Sequence, residues 1–357
     1  MKVMKSAALA AVWLCAAAAF GADDEPAGEF RLGATVAFNI SARFTGLGGF
    51  VAPPIVGPGG TRTYEDGFVN PDASGIADGK TWFWGYGNAS QVGNSAVPPT
   101  VAGTTLSMNS SSAMQNFGTP KVDGDPMPGV DLSYLYRLGR FDSGSWGLSF
   151  GANYTLVTIK DQETLVGDVS RTTDTYAAGI ALPPAPYAGT SAGTGGGTDP
   201  RIPLLPASTT TTTVTGGAID NGLRRLDGDL FTLRLGPYVR YKLGAGVSLE
   251  AGGGFALGIM SSEFQYNEAI TIPSMNPVLQ PGVSNTQTFA GSARKVGILP
   301  GGYGDLRLVC RFTPQWSGYL GGRFQYLGNF SQDVNGHSAR VELGRAVFAE
   351  AGIGYSF

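Results

Sequence analysis

The sequence closes on AEAGIGYSF, residues 349–357, in which two kinds of residue alternate. Counting back in twos from the end gives Phe357, Tyr355, Ile353, Ala351 and Ala349, and between them lie Ser356, Gly354, Gly352 and Glu350. A period of two is that of a β-strand, because successive side chains point to opposite faces. The stretch therefore predicts a strand with one apolar face and one face of small or charged residues.

Seven other segments show the same alternation and a similar length. Together with the last one they cover residues 30–44, 129–139, 146–159, 229–243, 247–260, 301–312, 316–327 and 339–357. Each is long enough for the ~9–11 tilted residues with which a β-strand crosses a bilayer. The sequence therefore predicts an all-β fold of eight antiparallel strands.

The connections between these segments alternate between short and long. The short ones are residues 140–145, 244–246 and 313–315, and the long ones, predicted to be extracellular loops, are about 45–128, 160–228, 261–300 and 328–338. This layout is typical of an up-and-down transmembrane barrel with both termini on one side. A ten-stranded barrel would result if residues 61–69 or 104–112 formed a spanning hairpin, but both segments are polar on both faces.

Charged side chains are concentrated on one face of the eight segments, and the other face carries only Arg345. Since a charge facing lipid costs ~2–4 kcal/mol at the bilayer midplane, this pattern indicates a barrel whose apolar face meets lipid. The interior charges would then form a network of Arg234, Arg240, Glu250, Asp305, Arg307, Arg311, Arg323 and Glu350. Because unpaired buried charges are costly, we expect ion pairs that plug the lumen, with a narrow anion path as the alternative.

Aromatic residues lie on the apolar face at the short-turn ends of the segments. They are Phe30, Tyr136, Trp146, Tyr241, Phe312, Trp316, Tyr355 and Phe357. Aromatic rings at one level are expected where a barrel meets the lipid headgroups. We interpret these residues as an interfacial girdle.

The first 22 residues have the layout of a secretory signal peptide, with Lys2 and Lys5 before an apolar stretch and small residues before Asp23. Residues 23–29 would then be a short periplasmic segment, and residues 30–357 the barrel with its loops. The formal charge of −3 becomes more negative once the two lysines are removed. An acidic exported chain is not expected to bind nucleic acid.

The closing Tyr355-Ser356-Phe357 resembles the C-terminal signal of Gram-negative outer-membrane β-barrel proteins. The eight-strand layout is similar to the small barrels of outer-membrane proteins A and X, although the loops here are longer. The resemblance implies an outer-membrane monomer, recognised through Tyr355 and Phe357 by the barrel-insertion machinery and escorted by periplasmic chaperones. Its other partners would be outer-membrane lipid and lipopolysaccharide. No periplasmic domain is expected after Phe357.

The first long loop carries an aromatic group, Trp82, Phe83, Trp84 and Tyr86. Exposed apolar side chains on an extracellular loop can mark a binding surface. They can equally form the loop's own small core. We consider these four residues a candidate binding patch.

Three functions are compatible with this sequence. The first is a structural or surface-binding role through the long loops, and the second is a narrow channel for anions or small hydrophobic solutes. The third is a lipid hydrolase on the barrel rim, suggested by His337, Ser338 and Glu342. Neighbouring strand residues face opposite sides, so His337 and Ser338 are poorly placed to act together. We expect no enzyme, and we assign no catalytic, cofactor or metal-binding residue.

Overall fold

The computed structural model describes residues 27–73, 78–95, 103–191, 200–244, 246–275 and 283–357. The predicted signal peptide and residues 23–26 of the predicted periplasmic segment lie outside these ranges. The part of the chain that is described consists of β-strands, connections and two short 3-10 turns, Pro58–Gly60 and Ala89–Gln91. Within it, no helix is long and apolar enough to cross a membrane.

The strands are numbered in chain order. The first half comprises β1 Gly28–Phe38, β2 Ser41–Thr45, β3 Arg62–Thr63, β4 Gly67–Val69, β5 Lys80–Thr81, β6 Trp84–Tyr86, β7 Val92–Ser95, β8 Gly103–Ala113, β9 Lys121–Asp123, β10 Met127–Phe141 and β11 Gly144–Asp161. The second half comprises β12 Leu165–Ala177, β13 Tyr187–Ala188, β14 Ile202–Pro203, β15 Ser208–Gly244, β16 Val247–Thr271, β17 Thr286–Arg311, β18 Trp316–Leu327, β19 Phe330–Val334, β20 His337–Glu342 and β21 Ala346–Ser356.

Eight long strands form a closed cycle of antiparallel pairings, which we call the ring. The order is β1, β10, β11, β15, β16, β17, β18 and β21, and β21 pairs again with β1. Each of these strands is thus hydrogen-bonded on both sides over much of its length. The prediction of an all-β, antiparallel architecture is confirmed.

Strands extend far into two segments that the sequence predicts to be loops. β15 has 37 residues, β16 has 25 and β17 has 26, so most of residues 208–228, 261–271 and 286–300 is strand. In β16 the extension has polar outward residues such as Glu263 and Gln265 and apolar inward ones such as Met260 and Phe264, the reverse of the pattern used to find strands. The extensions of β15 and β17 follow this less strictly, since Leu223 and Val296 are exposed and Asp220 and Arg224 are buried. A pattern with apolar residues facing outward therefore does not identify these extensions as strands.

Two predicted strands are each divided in the structure. The segment 30–44 breaks at Asn39, which has a φ of 59°, into β1 and β2. The segment 339–357 breaks into β20 and β21, and Arg345 lies exposed in the turn between them. Arg345 is therefore not a charge on the outer face of a ring strand.

The two segments considered for a ten-stranded variant do not enter the ring. β8, which covers residues 104–112, pairs with β7 and β12. β3 and β4, from residues 61–69, pair with each other, and β4 continues to β6 in a small separate sheet. We call β3–β8, β12–β14 and residues 208–218 of β15 the head.

The ring itself has two parts with different interiors. The lower ring, next to the short turns, includes residues 231–244 of β15, 247–259 of β16 and 298–311 of β17. The upper ring includes residues 219–230, 260–271 and 286–297 of the same strands. These segments pair with one another in register, as Leu230 with Met260 and Met260 with Gly297.

Candidate functional site

The lower ring encloses a network of ten charged side chains, all at most 8 % exposed. It consists of Glu29, Arg31, Asp131, Arg234, Arg240, Glu250, Asp305, Arg307, Arg323 and Glu350. Seven of the eight residues that the sequence assigned to the lumen are among them. The eighth, Arg311, is half-buried at the end of β17.

Glu250 is the centre of this network. Arg31 donates to both of its carboxylate oxygens, with Nη1–Oε1 at 2.7 Å and Nη2–Oε2 at 2.8 Å. Arg240 Nη2 lies 2.8 Å from Oε2, and Arg307 Nη1 lies 3.3 Å from Oε1. A planar guanidinium matched to a carboxylate in this way is the strongest form of charge-assisted hydrogen bond in proteins.

The same pattern of shared carboxylates continues above Glu250. Asp131 accepts a hydrogen bond from Arg323 at 2.8 Å and another from Arg234. Arg307 pairs with Asp305 at 2.8 Å and also donates to Glu350. Each of the five carboxylates in the network therefore has at least one arginine partner.

The network is electrically balanced, with five arginines and five carboxylates. An anion path requires an excess of positive charge along the lumen, since the arginines must be free to replace the hydration of the ion. Here each guanidinium group has at least one carboxylate partner.

Sequence reasoning missed Glu29, which was placed in the segment before the barrel. In the structure Glu29 lies in β1, accepts hydrogen bonds from Arg31 Nε at 2.9 Å and Arg240 Nη2 at 2.7 Å, and is 5 % exposed. The signal was present, because the alternation that begins at Phe30 continues backwards with Glu29 on the charged face.

The upper ring has an apolar interior. Met260 and Phe264 of β16 point inward with Leu230 of β15, and all three are fully buried. The strands β2, β9, β19 and β20 form a second sheet whose apolar residues join the same core. Phe44 of β2, for example, stacks on Phe264 with ring centroids 5.8 Å apart. In the described residues, the interior of the upper ring is thus mainly a packed apolar core.

One buried charged cluster interrupts the upper core. Glu268 accepts hydrogen bonds from Arg224 at 3.0 Å and from His337 Nε2 at 2.9 Å, and Arg224 also pairs with Asp161 at 2.9 Å and with Asp220. Burial, together with the nearby Glu268, raises the pKa of Asp220 to about 6, against the opposing effect of Arg224. Burial also opposes charge on Glu268, but the hydrogen bonds from His337 and Arg224 outweigh it and lower its pKa.

The structure does not bring together the residues considered for a rim hydrolase. His337 is 2 % exposed and stacks on Tyr266, with ring centroids 3.9 Å apart. Glu342 instead pairs with Lys121 at 3.0 Å. Ser338 is opposite Thr45 in the register of β20 with β2.

The predicted girdle residues lie at the turn end of the ring. Seven of them point outward with 43–59 % of their surface exposed, namely Phe30, Tyr136, Trp146, Tyr241, Trp316, Tyr355 and Phe357. The eighth, Phe312, is half-buried. The terminal Phe357 stacks on Phe30 at 5.7 Å, and its backbone N–H donates to Gly28 O at 3.0 Å. The two residues of the predicted assembly signal thus lie on the outer surface beside the first strand.

The aromatic group of the first long loop is part of a small core, the alternative considered for it, and not an exposed binding patch. Trp84 and Tyr86 are 0 % and 2 % exposed and belong to the core of the head, together with Tyr176 and Ile202 from distant segments. Trp84 Nε1 donates to the backbone oxygen of Pro200 at 2.9 Å. The half-buried Trp82 and Phe83 pack at the edge of this core, Trp82 under Arg201 at 4.9 Å and Phe83 against Phe68 at 5.4 Å.

No family model and no curated protein matches this sequence. Among solved structures, the chain is similar to the outer membrane protease OmpT from Escherichia coli, with 10 % identity, coverage of 94 % of this chain and 97 % of that one, and a TM-score of 0.30. It is also similar to the P. putida toluene transporter TodX, with 10 % identity, 94 % and 91 % coverage and a TM-score of 0.16. A third is CymD, a monoaromatic hydrocarbon channel, with 9 % identity, 94 % and 89 % coverage and a TM-score of 0.15.

The first of these likenesses contradicts the prediction that the chain is not an enzyme, because OmpT is a protease. That prediction is withdrawn. At a TM-score of 0.30, the likeness assigns neither a reaction nor catalytic residues to this chain. The proposals below are therefore based on the geometry of the chain itself.

Proposed function

We propose that the ring is an eight-stranded transmembrane β-barrel in a Gram-negative outer membrane. In this proposal the barrel has a sealed lumen and holds an ordered head outside the cell, and the protein has a structural or surface-binding role. The observation that carries the proposal is the reversal of the two strand faces between the lower and the upper ring.

β16 illustrates this reversal. In the lower ring its outward side chains include Leu249, Phe255 and Leu257, which are 38 %, 82 % and 40 % exposed, while Glu250 is buried inside. In the upper ring the outward residues are Ser261, Glu263, Gln265 and Asn267, while Met260, Phe264, Tyr266 and Ile270 are buried. Water would favour the reverse arrangement in the lower ring. Lipid around the lower ring and water around the upper ring account for both.

The height of the apolar band supports the same proposal. On β15 the outward apolar side chains extend from Tyr241 at the girdle to Phe231, and the next outward residue is Asp229. At ~3.3 Å per residue and a tilt of ~45°, this stretch rises ~23 Å. A band ~25 Å tall is typical of outer-membrane barrels.

The sealed lumen favours the structural or surface-binding role over a channel. The balanced ion pairs fill the lower ring, and the apolar core of the upper ring leaves water no favourable route through it. By this proposal the protein is a monomer in contact with outer-membrane lipid and lipopolysaccharide. Its insertion would depend on the barrel-insertion machinery, which would recognise Tyr355 and Phe357, and on periplasmic chaperones.

Two measurements on refolded protein test the proposal. A barrel held closed by its hydrogen-bond cycle should migrate faster on a gel before boiling than after, and identical migration would contradict the barrel. In a planar bilayer, properly inserted protein should be silent. Stable anion-selective steps that change in an Arg307→Ala variant would contradict the sealed lumen and favour a channel.

A further inference from the structure

The second sheet continues the wall of the ring on one side. Its strand order is β19, β20, β2 and β9, and these strands adjoin β18, β21, β1 and β10, which follow one another in the ring. Its inward residues, such as Phe44 and Val341, are buried in the core of the upper ring. Its other face is therefore part of the outer wall of the upper ring.

The middle of this outer face carries three neighbouring cations, which we call the cationic row. The register places Arg43 of β2 opposite Lys121 of β9 on one side and opposite Arg340 of β20 on the other. The side chains of Arg43 and Lys121 are each 46 % exposed, and Arg340 is exposed as well. Like charges directly opposite each other on neighbouring strands are destabilising, so the row favours an anion that lies across it.

Only part of the charge of the cationic row is neutralised within the protein. Glu342 lies 3.0 Å from Lys121 Nζ and 3.7 Å from Arg43 Nη2. In the ranges that the structure describes, Arg340 forms no ion pair. The three cations therefore share one carboxylate, which leaves a surplus of positive charge.

Two further carboxylates lie on this face, at its borders. Asp123 is opposite Ser41 and Asp333 is opposite Ser338, and both carboxylates are exposed. Within the described part of the chain, neither forms an ion pair with a member of the cationic row. They do not neutralise the row directly.

The cationic row lies just above the apolar band. On β1 the outward apolar residues end at Phe38, which is opposite Val347 of β21. Arg43 is five residues beyond Phe38, which at ~3.3 Å per residue and a tilt of ~45° places it at most ~12 Å higher. Arg345 is exposed two residues from Val347, which is ~5 Å higher by the same measure. The headgroup region of a bilayer is ~5–7 Å thick on each side, and long cationic side chains can reach towards it.

The other side of the ring has no comparable surplus among its described outward residues. Above the apolar band there, Arg225 of β15 pairs with Asp227, and Arg294 of β17 pairs with Glu263 at 2.9 Å. Each of these cations thus has a carboxylate of its own. The surplus of positive charge is on the side formed by β2, β9, β20 and the turn before β21.

We infer that the cationic row, together with Arg345, is a docking surface for the phosphate groups of outer-leaflet lipid. Anionic headgroups attract clusters of Lys and Arg at a membrane surface. A guanidinium group binds phosphate through two parallel hydrogen bonds, which makes arginine well suited to this partner. The inference rests on the proposed function, because only a membrane around the lower ring brings lipid headgroups to this level.

The test measures lipid binding by native mass spectrometry, on refolded protein in a neutral detergent with EDTA to remove divalent cations. The probes are lipid A with two phosphate groups and the same lipid A after both phosphates have been removed, so that the acyl chains are identical. We expect the phosphorylated form to bind at least ~10-fold more tightly, because several cations contribute to its binding. Each protein is first shown to give the gel shift of the folded barrel.

Two double variants and one single variant locate the binding surface. Arg43→Gln/Arg340→Gln removes two charges from the cationic row and should reduce the preference for the phosphorylated lipid to ~2-fold or less. Arg225→Gln/Arg294→Gln removes the same number of charges from the other side and should leave the preference unchanged. Ser331→Glu adds a carboxylate opposite Arg340 without removing a cation, and it should weaken binding of the phosphorylated lipid ~5-fold. If the first double variant does not fold, Ser331→Glu decides the matter.

Equal binding of the two lipids by the wild type would overturn the inference. So would equal losses in the two double variants, because net charge alone would then explain the binding. Displacement of the lipid by ~10 mM sodium phosphate would also overturn it, since the row would then be a site for free anions. If the lipid preference fails while the gel shift holds, this inference falls and the proposed function stands. If the gel shift fails as well, both fall.

Discussion

The lower and upper parts of the ring are built from the same strands with the same period of two, yet their faces are exchanged. Along β16, Glu250 and Phe264 both point inward and are both fully buried. Leu257 and Gln265 both point outward. Alternation of inward and outward residues therefore identifies a strand, and the chemistry of the outward residues indicates whether lipid or water surrounds it.

The two interiors are stabilised by different means. In the lower ring the buried charges are tolerated because each carboxylate has an arginine partner and four of the five are shared between arginines, and removing one partner leaves a buried charge unpaired. In the upper ring the interior is held mainly by apolar burial, which favours folding in proportion to the area removed from water. Substitutions of inward residues should therefore lower the free energy of unfolding in both parts, for different physical reasons.

The largest effect is expected from Glu250→Ala, which removes the carboxylate that Arg31, Arg240 and Arg307 share. Breaking a buried pair in this way costs ~3–5 kcal/mol. The measurement is the free energy of unfolding in urea, in lipid vesicles. The matched control is Glu263→Ala on the outer face of the upper ring, where Glu263 pairs with the exposed Arg294 at 2.9 Å. The control should lose far less, because an exposed ion pair contributes little to stability, and equal losses would contradict a sealed, charged interior.

A comparable loss is expected from Phe264→Ala in the upper ring. Phe264 is fully buried between Phe44 and Tyr266, with centroid distances of 5.8 Å and 6.1 Å. Truncating such a side chain leaves a cavity and costs ~3–5 kcal/mol. Gln265→Ala, on the opposite face of the same strand, should change the unfolding free energy by no more than ~0.5 kcal/mol. A wild-type-like Phe264→Ala would show that this interior is not a packed core.

A smaller effect separates the two outward faces. Leu257→Arg places a charge in the apolar band and should cost ~2–4 kcal/mol in vesicles. Gln265→Arg introduces the same side chain on the same strand above the band, and should lie within ~0.5 kcal/mol of the wild type. Unfolding titrations of both variants in the same lipid provide the measurement. If Leu257→Arg were neutral, the lower ring would not face lipid.

The smallest effect is a pH dependence in the upper ring. The folded-state pKa of Asp220 is about 6, above its ordinary value of 3.8. Its contribution to stability is therefore fully present below about pH 4 and is lost as the pH rises through about 6. Asp220→Asn should not undergo this loss, so relative to the wild type it should gain stability between pH 4 and pH 7, by at most ~3 kcal/mol.

Thermal denaturation of the wild type and Asp220→Asn across this pH range measures the difference directly. Asp229→Asn is a suitable control, because Asp229 lies exposed on the outer face of β15. A difference between wild type and Asp220→Asn that stays constant from pH 4 to pH 7 would show that Asp220 does not titrate in this range.

The sequence predicts the lower ring well because its pattern is set by one rule. Outward residues face lipid and are apolar, and inward residues include paired charges, so the two kinds alternate strictly within short segments. This alternation identifies β16 from Val247 onward and seven of the ten network residues. Glu29 was missed only because the strand was begun one residue too late. The aromatic residues at the turn end follow from the same rule.

The structure of the upper ring and of the head is harder to predict from the sequence, for a physical reason. Beyond Met260 the outward residues of β16 become polar. This part of the strand therefore has the pattern of a strand in a water-soluble protein, with its apolar residues facing inward. In the head, Trp84 and Tyr86 are buried by Tyr176, Ile202 and Leu204, which lie about 90 to 120 residues further along the chain. Contacts over such separations leave no local pattern in the sequence. A polar cavity beside Glu65 is likewise lined by residues from five separate stretches of the chain, namely 65–66, 87–91, 107–109, 171 and 274.

The most direct test of this account is to locate the change of solvent along β16. A fluorescent non-natural amino acid is placed singly at the outward positions Leu249, Phe255, Leu257, Ser261, Glu263 and Gln265 of protein in vesicles, and quenched by brominated lipid or by aqueous iodide. The account predicts quenching by lipid at the first three positions and by iodide at the last three, with the change between Leu257 and Ser261. Iodide quenching at all six positions would contradict a membrane around the lower ring.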